Sequence, residues 1–325
     1  MEELALHQEL VAALKAQMAP VRADDSMAEA GRKIMLREFI AMLRHEAGSR
    51  IGSDIEDVHD MRVAIRRMRS ALRLLSDYYK PKAIRAYNRK LQRVARALGA
   101  VRDLDVMIDT FANDATPTEG EMPPEAERVI AAMDKERDLA RMELNHALDR
   151  GEYRRFVTDF SQFLTTEGAG ARLHNDDLAP SQVRHVLPTL IYTHIGAVRA
   201  FDTVISESIE KNDQVMLHNL RIEFKRLRYT VSMFEDVLGA QADGFITELK
   251  KIQDHLGELQ DSYIAVQRLS DFLDEVDQEA AAYLQAYIDQ ITPNADDKRK
   301  HFAEIWKRFN SKSVQGMIAR AVAAL

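Results

Sequence analysis

Five residues of one stretch, His59, Arg62, Arg66, Arg69 and Arg73, recur at intervals of three or four. On a helix turning about 100° per residue they fall within an arc of about 80°. That is a single cationic stripe, suited to a multivalent anion, because guanidinium forks span two phosphate oxygens while an ammonium acts as a point charge. His218, Arg221, Lys225 and Arg228 repeat the pattern about half a chain later. Lys82, Arg85, Arg89, Arg93 and Arg96 form a third row at the same spacing. Like charges so spaced destabilise a helix by roughly 0.2–0.5 kcal/mol per pair, so such rows call for an outside counter-ion.

A charge run is more often a solvated face than a site, but the distribution of sign argues otherwise here. Residues 59–102 hold 13 Lys and Arg against two acids, and residues 218–251 hold six against five. The rest of the chain keeps 26 basic and 45 acidic residues, for a net charge of −7. Cations segregated in an acidic protein make a local positive field rather than a general affinity for DNA or membranes. The rows also lack the interleaved aromatics and the Asn or Gln side chains that read bases.

Arg67 and Arg226 lie on the flank of their stripes, and a structural role is expected for both, Arg67 with Asp103 and Arg226 with Asp261. His59 and His218 open their rows. Neither helix offers the further ligands a metal needs, so phosphate contact and plain packing both remain open for them. Asp103, Asp105 and Asp109 are close enough in sequence to suggest Mg²⁺, though helix stabilisation is the simpler account.

The elements that must present these residues are helices. Met61, Ile65, Met68, Leu72 and Leu75 fall opposite the first stripe, and Leu220, Phe224, Leu227, Val231 and Phe234 opposite the second. Ser53 or Asp54 is placed to cap the first motif helix, Asn212 or Asp213 the second, and Pro81 suits a first helical turn. No run alternates like a strand. With 46% hydrophobic and 30% charged residues, few Gly and Pro and no Cys, the fold class is all-α, without disulfides or thiolate metal sites. No apolar run of about 18 residues is present, which predicts a cytoplasmic protein with no membrane partner.

Each basic stretch is followed by a Leu-Gly-x3-Asp phrase, Leu98 to Asp103 and Leu256 to Asp261. Two phrases repeated in order argue for internal duplication. The segments VHDMRVAIRRMRSALRLL, LGAVRDLDV, LHNLRIEFKRLRYTVSMFEDVLG and LGELQDSY resemble the conserved histidine α-helical domain, or CHAD, family. The resemblance implies a stand-alone domain of two pseudo-symmetric helical bundles around a central basic groove or pore that binds inorganic polyphosphate and associates with polyphosphate granules. Matched by position, the binding residues are His59, Arg62, Arg66, Arg69, Arg73, Arg89, Arg93 and Arg96, with His218, Arg221, Lys225, Arg228 and Lys251 in the second unit. Ser232, Thr247 and Asp254 stand where the first unit has Arg73, Arg89 and Arg96, so fewer contacts are expected from the second.

In chain order, 1–25 reads as an amphipathic helix and linker, with Leu4, Leu6, Leu10, Leu14 and Met18 near one face. The first repeat unit runs over 26–168, the second over 181–310, and a C-terminal helix over 311–325. Turn clusters at 116–124 and 168–180 separate elements. Residues 123–150 should form a charged helix facing solvent, and Pro188 should fall near the first turn of the helix that opens the second unit. Further helices are expected at 267–272, 279–291 and 298–310.

No phosphate-binding Gly-rich loop, His-Glu-x2-His helix or Glu-x-Glu-x-Lys strand is present, and no cofactor is called for. The expectation is a noncatalytic polyphosphate-binding module. Alternatives are an enzyme or regulator of polyphosphate metabolism, or a scaffold recruiting other granule-associated proteins.

Overall fold

Helix dominates the computed structural model, which describes residues 2–116, 121–172, 181–205, 213–291 and 295–325. Among the described residues there is no strand, only isolated antiparallel bridges between Ser26 and Gln182 and between Tyr79 and Ala171. The all-α expectation holds. No described helix is long and apolar enough to cross a membrane. The chain divides into two compact units that interleave in sequence: Met1–Ala19, Gly31–Leu173 and Gln267–Asp289 in one, Pro20–Ala30, His174–Val266 and Gln290–Leu325 in the other.

The first unit is built on α1 (Glu2–Lys15), α2 (Met27–Ile51), α3 (Ile55–Leu74), α4 (Pro81–Ala115), α5 (Pro124–Asp149) and α6 (Gly151–Thr165). Asp54 starts α3, its carboxylate accepting from the Glu56 N–H at 2.9 Å, a cap contributing about 1 kcal/mol. Ser26 does the same for α2, its Oγ accepting from the Glu29 N–H at 3.1 Å. Pro81 occupies the first turn of α4, where its missing N–H costs nothing. Between α2 and α3, Gly52 has φ 74°, and a Cβ there would lie 1.5 Å from Arg141 Nη1. The backbone conformation demands glycine, and any side chain there would also displace the Arg141 guanidinium.

Met61, Ile65, Met68 and Leu72 of α3 are buried, as are Leu91, Val94, Leu98 and Val101 of α4. Burying each aliphatic chain contributes roughly 1.5–3 kcal/mol, which fixes the rotation of both helices and so the direction of their basic faces. The helix expected to face solvent, α5, instead packs one side along α4. Its Val129, Met133, Leu144 and Leu148 are buried at intervals of four, eleven and four residues that the alternating charges obscure. Beneath α4, Tyr87 meets Phe160 and Phe163 of α6 at 4.7 and 5.1 Å between ring centroids, and Phe160 meets Phe39 of α2 at 5.2 Å.

Residues 267–289 also belong to this unit. Arg128 pairs with Asp277 and Glu279 at 3.0 and 3.1 Å, Tyr287 donates to Asp114 at 2.7 Å, and the Tyr287 and Phe111 rings sit 4.9 Å apart. These contacts are tertiary, which a division by sequence position does not see.

The second unit contains α7 (Val183–Arg199), α8 (Gln214–Met233), α9 (Gln241–Ser270), α11 (Ala295–Phe309) and α12 (Lys312–Ala323), with α10 (Gln278–Ile291) lying between α9 and α11 in sequence. Asp213 caps α8, accepting from the Val215 and Met216 N–H groups at 3.1 Å. Leu220, Phe224, Leu227, Val231 and Phe234 are buried, and Phe224 meets Trp306 and Phe309 edge-on. Trp306 is a packing residue, buried against these rings. Pro188 lies inside α7, past its first turn, because the helix starts at Val183. Residues 267–270 continue α9 rather than starting a new helix. Residues 117–120 and 173–180 of the two turn clusters, Asn212, and the side chains of Leu4, Leu6 and Asp261 lie outside the described residues.

Candidate functional site

The α3–α4 hairpin brings two of the sequence rows side by side. Arg102 of α4 acts electrostatically on His59, near the start of α3. One α3 turn on, the Arg62 Nε would lie 3.8 Å from a Cβ added at Gly99, and farther along α3, Arg96 acts on Arg69. Positions thus rise on one helix as they fall on the other, so the hairpin is antiparallel and its cations interleave across the seam.

At the centre of this face like charges crowd. The Arg69 guanidinium is pushed below its usual pKa by partial burial, then by Arg73 and Arg96. Its Nε is buried and makes no hydrogen bond among the described residues. Nor, among those residues, does a carboxylate pair with Arg69, Arg73, Arg89 or Arg96. Arg73, Arg89 and Arg96 are exposed, while Arg66 is half-buried between the ends of the row. Arg69, Arg73 and Arg96, with no acid paired among them, have the chemistry to take an anion with several negative oxygens.

Acids close the edges. Arg93 pairs with Glu152 at the start of α6, which holds that carboxyl below its usual pKa. Arg102 contacts Glu56 at 3.3 Å, and His45 Nδ1 lies 2.8 Å from Asp57. Glu56 and Asp57, at the start of α3, are thus each engaged by a side chain.

Arg67 is structural, but its partner is not the expected Asp103. It reaches Glu38 of α2 at 3.6 Å. Glu38 is buried, and burial raises its pKa against the pull of Arg67 and Arg37. Asp103 is taken instead by Arg268 at 2.8 Å and by Arg62 at 4.0 Å. Arg268 was absent from every sequence row. No local spacing marks it, since only tertiary packing carries the end of α9 to α4.

His59 is half-buried, and its pKa is lowered by desolvation first and then by Arg102. At neutral pH it therefore presents a neutral imidazole, able to hydrogen-bond a phosphate oxygen but adding no charge.

On the second unit, α8 carries the corresponding row. His218 and Lys225 are exposed, and Arg221 and Arg228 are half-buried. Arg228 lies 5.1 Å from the centroid of the Tyr229 ring. Arg226 reaches Glu223 at 2.5 Å, a local pair in place of the expected Asp261, whose side chain lies outside the described residues. On α9, Lys251 donates to Glu248 at 3.0 Å, and Glu248 also takes Arg308 at 2.5 and 2.8 Å. Those donors pull the Glu248 carboxyl down to about 2. Lys251 thus shares its counter-charge, unlike Arg69 and Arg96.

Asp103, Asp105 and Asp109 of α4 do not converge on a metal. Asp105 is buried, with Arg141 at 3.8 Å and Arg137 at 4.0 Å, and burial raises its pKa. Among the described residues no group of three or more His, Asp or Glu is placed to hold a metal ion.

An all-helical chain with cationic ridges on its repeated motif helices is the class these observations define. The CHAD domain family matches residues 33–270, and the chain belongs to that family. The crystal structure of the CHAD domain from the plant Ricinus communis is similar at 22% identity, with a TM-score of 0.68 over 88% of this chain and 94% of that one. PptA from Streptomyces chartreusis is similar at 14% identity, with a TM-score of 0.56 over 87% of this chain and 99% of that one. At such identities the likeness bears on the fold. No curated protein matches the chain.

Proposed function

We propose that this protein is a noncatalytic binder of inorganic polyphosphate, which the α3–α4 face of the first unit holds most strongly and the α8 row of the second unit binds in its own right. The observation that carries the reading is the group Arg69, Arg73 and Arg96, whose cations act on one another with no carboxylate paired among them. Membership of the CHAD family, which is associated with polyphosphate, supports it. A linear polyanion presents closely repeated charge, so cations one helical turn apart engage successive phosphates and release counter-ions. Association with polyphosphate granules in the cytoplasm follows from that affinity. His59, Arg62, Arg66 and Arg89 extend the face, and Arg93 joins it by exchanging Glu152 for phosphate.

The test is a titration of the full chain with long-chain polyphosphate, DNA of equal charge and pyrophosphate at several salt concentrations. Long chains should bind tightest, with affinity falling steeply as salt rises. The Arg69→Glu/Arg96→Glu variant should lose at least about tenfold in affinity, through two lost phosphate contacts. Equal binding to DNA, or release of phosphate by the pure protein, would overturn the reading.

A further inference from the structure

We propose that Asp103 is a built-in competitor for the polyphosphate site, occupying Arg62 and Arg268 until phosphate displaces it, and that Arg268 is thereby a further anion contact. The inference rests on the polyphosphate reading of the α3–α4 face and adds to it how strongly that face binds.

One carboxylate is divided between cations from two other helices. Asp103 Oδ2 accepts from Arg268 Nη2 at 2.8 Å, while Oδ1 lies 4.0 Å from Arg62 Nη2. Two phosphate oxygens would divide between the same guanidinium groups in the same way. Arg62 belongs to the α3 row, one turn before Arg66, so an anion lying along that row reaches Asp103 at its end.

Exposure decides whether exchange is feasible. The side chains of Arg62, Asp103 and Arg268 keep 36, 35 and 43% of their surface in solvent. Ion pairs this open are weak and screened by salt, and each partner has room to turn. Contrast Glu38, which is 5% exposed. Phosphate could not take Arg67 and Arg37 without leaving the buried Glu38 carboxylate unpaired.

The charge count gives the direction. Asp103 repels an anion at the end of the row and also holds two donors that would serve it. Neutralising it removes both effects. Asp103→Asn keeps the shape and one acceptor oxygen, so the variant probes charge rather than packing.

The experiment titrates full-length wild type, Asp103→Asn, Arg268→Gln and the double variant with long-chain inorganic polyphosphate across a salt series, with melting temperatures measured alongside. Asp103→Asn should bind about three- to tenfold tighter at low salt, with a salt slope steeper by roughly 0.7–0.9, the value of one further phosphate contact. Arg268→Gln should bind more weakly, and the double variant should lose most of the gain. A lower melting temperature with unchanged or weaker affinity in Asp103→Asn would mean that the pair only fastens residues 267–289, and would overturn the proposal. If wild type binds and Arg69→Glu/Arg96→Glu weakens binding at least about tenfold while Asp103→Asn is no tighter, this inference fails alone. If wild type does not bind polyphosphate, both fall.

Discussion

Arg69, pushed below its usual pKa by burial and then by Arg73, meets a further cation in Arg96 of α4 across the seam of the α3–α4 hairpin, so that cation faces cation where a folded protein ordinarily sets cation against anion. The arrangement costs stability in the free protein, and a bound anion would relieve it. Affinity and stability should therefore respond in opposite senses to substitution of Arg69 or Arg96.

Arg67 and Arg69 make the contrast within two residues. Arg67→Ala strips a partner from the buried Glu38 carboxylate and should destabilise the fold by about 1–3 kcal/mol while leaving polyphosphate affinity nearly unchanged. Arg69→Ala should leave the melting temperature level or slightly raised and reduce the salt slope of binding by roughly 1. Paired melting and binding curves check both.

His59 should titrate below its ordinary value of 6.5. Because the folded pKa is depressed, the unfolded chain takes up the proton first as pH falls. The fold thus loses stability from pH 6.5 down to the folded value and none above it. Bound polyphosphate should move the imidazole midpoint upward, read by NMR. A midpoint that does not move would place His59 away from the anion.

Glu248 contributes stability of the opposite kind. With its carboxyl at about 2 rather than 4.5, the contribution is full above pH 4.5 and is lost as pH falls toward 2. Glu248→Gln should melt a few degrees lower than wild type at pH 7, and thermal melts should show the gap narrowing below pH 4.5. Since Lys251 shares that carboxylate, Lys251→Ala should weaken polyphosphate binding less than Arg96→Ala.

Gly52→Ala should destabilise the first unit by at least about 1–2 kcal/mol, the cost of a side chain in the left-handed region. The displaced Arg141 adds to this, because that side chain also contacts Asp105. Chemical denaturation gives the value directly.

Much of this architecture was legible in the residues because it is local. The three-four spacing of α3 fixed which side chains bury and which face outward, and Asp54, Asp213 and Pro81 sit where capping and first-turn chemistry put them. What escaped is long-range. Arg268 reaches Asp103 from far along the chain, Arg93 meets Glu152 on another helix, and Arg67 turns to Glu38 instead of Asp103. None of those partners shares a helix with the residue it pairs, so no periodicity announces it. The buried side of α5 was hidden by its charged majority, since four apolar residues suffice to seat it on α4.

The rings under α4 carry a thermodynamic consequence. Tyr87 is held among Phe160, Phe163 and, through Phe160, Phe39, so the hairpin's backbone stands on a rigid floor before any guest arrives. Docking then buries little fresh hydrocarbon and orders little main chain, and calorimetry should record a near-zero heat-capacity change.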